Sequence, residues 1–182
     1  AGDLLNGPTI DQRIATGYNR LLQTSHEGGV QEREYLAIYA ADRIRNLSGV
    51  WMGATLGCAQ CHDHKYDPYT ARDFYGMSAF FADVDESKHF AVGSNSLPTK
   101  RPPEIAVLSR KDREHIEKLE TKVPKTKKNE DLIKKIKSRS VLTMITQSID
   151  PRITRILPRG NWLDESGEIV QPAIPGFLGT LD

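Results

Sequence analysis

Three observations predict a mainly α-helical protein with a charged helical arm and a short β-containing C-terminal segment. Apolar residues recur at helical spacing from Gln31 to about Leu56. Capping patterns open two more helices, at Thr70 and at Ser109. After Val141 the period changes to short β-branched runs between prolines and glycines.

In chain order, Gly2 to Pro8 reads as a loop, and Thr9 or Asp11 caps a short helix through Leu22 with Ile10, Ile14, Tyr18 and Leu21 on one face. Gly28 and Gly29 then break it. The helix from Gln31 carries Leu36, Ala40, Ile44, Leu47 and Trp51 as its core stripe, with Glu32 and Glu34 in the first turn, where the helix dipole favours acids. Gly49, Gly53 and Gly57 punctuate its end. Each costs a helix interior roughly 0.5–1 kcal/mol against alanine, so their spacing suggests a close neighbour, either a flat macrocycle or a tight helix crossing.

Thr70 to Asp73 resembles a capping box and opens a helix through about Ala82, with Phe74, Met77 and Phe81 on its buried face. Asp83 to Pro103 reads as a long loop or linker. Ser109 starts a charged helix whose thin apolar stripe is Ile116, Leu119 and Val123; Pro124 interrupts it, and Leu132, Ile133 and Ile136 resume it as a hairpin arm. The basic run Lys125 to Lys128 reads as a solvated turn. Short strands are expected at Val141–Ile145, Ile153–Leu157 and Ile169–Val170, with a turn at Ser166-Gly167.

With 182 residues, 27% charged residues and a formal net charge of +1, the chain has no global attraction to nucleic acid or to a membrane surface. No run of eighteen apolar residues is present, so no transmembrane helix is expected. It opens on Ala1 and not on Met, which reads as a processed or partial chain.

The chemistry concentrates in Leu56-Gly-Cys-Ala-Gln-Cys-His-Asp-His-Lys-Tyr-Asp-Pro68. Cys58, Cys61 and His62 spell the pattern by which haem c is attached. Two thiols three positions apart add to the two vinyl groups of a porphyrin, and the adjacent His62 becomes the proximal iron ligand. Met77 is the distal candidate, since a His/Met pair suits electron transfer; it fits equally well as a core methionine between Phe74 and Phe81. His26 and His89 are further loop-borne candidates, and His115 reads as solvated.

Two other chemistries use the same residues. Cys58, Cys61, His62 and His64 offer the ligand types of a structural zinc site, although all four fall within seven residues and staple nothing distant. A redox thiol pair is disfavoured because Cys58 follows a helix and no strand. A haem enzyme with an open sixth position is the remaining option. Asp63 and Asp67, beside Lys65, read as local charge partners, and no phosphate loop, Gly-x-Ser-x-Gly or His-Glu-x-x-His pattern occurs.

Glu27-Gly-Gly29, Ala41-Asp-Arg43, Gly57 to Pro68, Asp73-Phe-Tyr75 and Ala79-Phe-Phe81 together resemble the planctomycete-type cytochrome c domain. Arg155 to Asn161 with Gly167-Glu168, Pro172 and Pro175-Gly176 looks like the start of the companion domain that follows it. The resemblance implies a piece of a large exported bacterial protein working with redox partner proteins or other haem domains, periplasmic or otherwise extracytoplasmic. It implies haem c on Cys58 and Cys61 with His62 axial. The expected organisation is a haem-binding helical domain over 1–86, a linker over 87–108, a helical arm over 109–138, and the start of a second β-containing domain from 139 to 182.

Overall fold

The computed structural model describes residues 2–23, 30–91, 102–121 and 126–179, and the fold is mainly α. Among these residues lie helices α1 (Ile10–Thr16), α2 (Glu32–Asn46), α3 (Ala71–Ala79), α4 (Ser87–Ala91), α5 (Arg110–Glu120) and α6 (Lys127–Lys137). Strands β1 (Glu104–Val107) and β2 (Val141–Met144) pair antiparallel, as do β3 (Thr154–Arg155) and β4 (Ile169–Val170).

Local chemistry sets the helix starts. Thr9 caps α1 in a reciprocal box with Gln12, and Thr70 caps α3 in the same way with Asp73. Ser109 and Thr126 accept from backbone amides at the starts of α5 and α6. The expected α1 continuation to Leu22 tightens instead into a 3-10 turn over Gly17–Arg20, leaving Tyr18 and Leu21 exposed.

Helix α2 runs as predicted to Asn46 and then widens into π-type turns over Leu47–Met52. This rotates the late side chains off the core stripe. Ile44 is fully buried, but Trp51 is 68% exposed and its indole N–H donates to the Tyr18 hydroxyl. The glycine series has no common neighbour. Gly53 adopts φ +60° and ends the segment in a left-handed cap, Gly57 makes room for the Arg45 side chain, and Gly49 faces open space.

The core joins Ala41 and Ile44 of α2, Leu56 and Ala59 of the following 3-10 turn, and Phe74, Tyr75 and Met77 of α3. Val170 belongs to the same cluster, and Ile156, Leu157 and Ile174 pack against it. The stretch expected to open a second domain therefore completes the core formed by the first eighty-six residues. Helices α5 and α6 form an antiparallel arm between β1 and β2, closed on a separate small cluster of Ile116, Leu119 and Ile136. Strand β1 falls in the stretch read as linker.

Residues 83–91 also differ from the expected loop. Val84 bridges to Ser148, and Asp85, Glu86 and His89 are buried. Glu86 accepts a hydrogen bond from Arg43 and lies 3.9 Å from Arg20. Arg43 also donates to the Asn19 carbonyl at 2.8 Å. A polar composition at 83–91 concealed a buried ionic junction, because charges enter an interior when paired charges and carbonyls replace their water.

Candidate functional site

The 3-10 turn over Leu56–Gln60 places the two cysteines. In this helix type side chains three positions apart eclipse, so Leu56 and Ala59 share one face, Cys58 lies off it, and Cys61 follows as the C-cap. Leu56 and Ala59 are fully buried in the core, while both cysteines are exposed free thiols. The apolar pair anchors the turn, and its position presents the sulfurs outward.

His62 follows on the exposed side, with its Nδ1 2.7 Å from the Asp63 carbonyl oxygen. A carbonyl only accepts, so Nδ1 carries the proton and Nε2 keeps its lone pair. No hydrogen bond engages Nε2 among the described residues. Asp63 is itself held, its Oδ1 accepting from the Ala71 amide at 2.8 Å where α3 begins. In the neutral ring this tautomer leaves Nε2 available as a donor.

His64 is engaged differently. Its Nδ1 accepts from the Asp67 amide at 2.8 Å and from the Tyr66 amide at 3.2 Å, so Nε2 bears the proton. That proton faces Thr55 Oγ1 at 3.2 Å, and Thr55 donates onward to Asp67 at 2.7 Å. Both nitrogens are thus spent closing the 64–69 loop, which a backbone bond from His64 to Tyr69 also secures at 2.7 Å. Zinc on His64 requires these bonds to break. Among the described residues no three His, Cys, Asp or Glu side chains converge on a metal position.

Met77 lies in the core cluster, 7% exposed. His89 is buried on α4 with its Nε2 3.3 Å from the Tyr39 hydroxyl, His115 is exposed on α5, and His26 lies outside the described residues.

Two features of the site escaped the sequence reading. The Tyr75 hydroxyl reaches the Gln60 carbonyl at 2.9 Å and the Leu157 carbonyl at 3.4 Å, joining the cysteine turn to the C-terminal segment. Burial, with the neighbouring Cys61, pushes Tyr75 up to about 12. Gly160 packs its backbone against Cys61: a Cβ there would lie 2.9 Å from the sulfur, and its φ is +72°. Arg159 before it also has positive φ, 54°. The sequence signal for this contact is the Pro158-Arg159-Gly160 turn, but nothing local says which surface it meets.

Residues 1–86 match the family described as PSCyt2, protein of unknown function (DUF1549). The matched span contains Cys58, Cys61, His62, His64 and Met77, whereas the Leu157–Gly160 turn against Cys61 lies beyond it. No curated protein and no solved structure matches the chain.

Proposed function

We propose that the chain carries haem c on Cys58 and Cys61, with His62 Nε2 as the proximal axial donor, and works in extracytoplasmic electron transfer within a larger redox protein. The observation that carries this reading is the Nδ1 bond of His62 to the Asp63 carbonyl beside two exposed free thiols. When bound, the group would supply one-electron redox chemistry. The chain's own part is to hold the thiols together, fix the imidazole tautomer and keep the turn seated on the core. Met77 is the proposed distal donor only in a state where α3 presents its sulfur, and its burial among apolar side chains equally supports an open sixth position.

The deciding experiment is the visible spectrum, oxidised and dithionite-reduced, of protein made in cells competent in haem attachment, run beside the intact mass under denaturing conditions. Sharp reduced bands with a retained haem mass are expected. A featureless spectrum with apoprotein mass would discard the cytochrome reading.

A further inference from the structure

Between α2, α3 and the segment from Arg152 to Glu165 lies a cleft of about 410 Å³, within the range of small-molecule sites. We infer that it binds a small organic anion with a flat apolar body, such as an aromatic carboxylate. This reading is independent of haem attachment, since neither cysteine nor His62 lines the cleft.

Charge is the first argument. Arg33, Arg43, Arg152 and Arg155 line the cleft against one acid, Glu165. Arg33 is paired with Glu165 at the mouth, and Arg43 with Glu86 behind the wall. The other two donate to carbonyls: Arg152 to Val84 at 2.8 Å and Phe81 at 3.3 Å, and Arg155 to Gly167 at 3.3 Å. Neither has a carboxylate within ion-pair distance among the described residues. Burial, above all, holds the Arg152 guanidinium below its ordinary value, with Glu86 opposing and Arg43 reinforcing that shift. Guanidinium groups with unused N–H donors bordering a cavity match a carboxylate in charge and in planar geometry.

The second argument is a hydroxyl on the wall. Ser78 on α3 is 6% exposed and lines the cleft, where its hydroxyl can donate to a bound acceptor. The third is shape. Phe74, Phe81 and Trp162 form aromatic walls, and Ala37, Ala40 and Ala41 keep the α2 side low. These surfaces favour a flat apolar body over a bare inorganic ion.

The test is isothermal titration calorimetry of the 182-residue chain with 2-naphthoate, neutral 2-naphthamide and inorganic phosphate. Saturable one-to-one binding of naphthoate is expected, with naphthamide and phosphate each weaker by about tenfold or more. Arg155→Gln should weaken naphthoate by about tenfold, and Ala37→Trp, which fills the cleft, should abolish binding, each with an unchanged circular dichroism spectrum. Should Ala37→Trp fail to fold, the Arg155→Gln comparison decides. Equal binding of naphthoate and naphthamide, phosphate binding as tightly as naphthoate, an Arg155→Gln variant that binds like the parent, or no saturable heat would overturn the proposal.

Discussion

The Tyr75 hydroxyl lies 2.9 Å from the Gln60 carbonyl, so a core residue of α3 holds the residue immediately before Cys61. The same hydroxyl faces the Leu157 carbonyl at 3.4 Å. One phenol thus ties the cysteine turn to a segment almost a hundred positions further along the chain.

Tyr75→Phe should therefore cost about 1 kcal/mol in urea unfolding. It should also remove an alkaline dependence. The folded group titrates at about 12 against an ordinary 10.0, so between those values the unfolded state binds fewer protons and stability falls as pH rises. Below the ordinary value the contribution is fully present. An alkaline slope that persists in the Phe variant would assign it to another group.

Gly160→Ala meets two obstacles, a left-handed backbone and the Cys61 sulfur. The expected loss is about 1–2 kcal/mol from the backbone alone. Displacement of the turn should also speed modification of Cys61 by a thiol reagent. Unchanged thermal stability together with an unchanged modification rate would show that the turn does not bear on Cys61.

The two neighbouring histidines should separate cleanly. His64→Ala deletes the acceptor of two amides and the contact with Thr55, and should cost about 1–3 kcal/mol. His62→Ala removes an exposed ring with one local bond and should stay within about 0.5 kcal/mol of the parent. Denaturant midpoints measured side by side provide the check; the reverse order would contradict the assignment of His64 as the loop's organiser.

Glu86→Gln should be the most damaging of these changes, at about 3–5 kcal/mol, because it leaves Arg43 and Arg20 buried without their carboxylate. Glu120→Gln serves as the contrast. Its 3.8 Å contact with Lys137 is exposed on both sides, and its loss should cost about 0–1 kcal/mol. Similar midpoints for the two variants would mean that the buried junction contributes no more than a surface pair.

The helices were legible where a local rule operates. Thr70 and Asp73 specify a helix start through four adjacent residues, and the α5–α6 arm follows from its thin stripe and its capping Ser109. Trp51 was misplaced because helical periodicity assumes a constant turn, and the π-type turns from Leu47 to Met52 break that assumption. Glu86 was misplaced because polarity predicts exposure only while no partner is known; Arg20 and Arg43 stand 66 and 43 positions away.

By itself the sequence determined the cysteine spacing, the adjacency of His62 and the capped helices, since each depends on residues within one or two turns of one another. Tertiary structure alone decided that His62 keeps Nε2 unengaged while His64 spends both nitrogens, that Met77 is packed inward, and that Gly160 rests on Cys61. The physical reason is that hydrogen-bond partners and burial are properties of what the folded chain brings alongside a residue, and the backbone from Leu157 to Gly160 meets the cysteine turn across about a hundred intervening positions that no local rule spans.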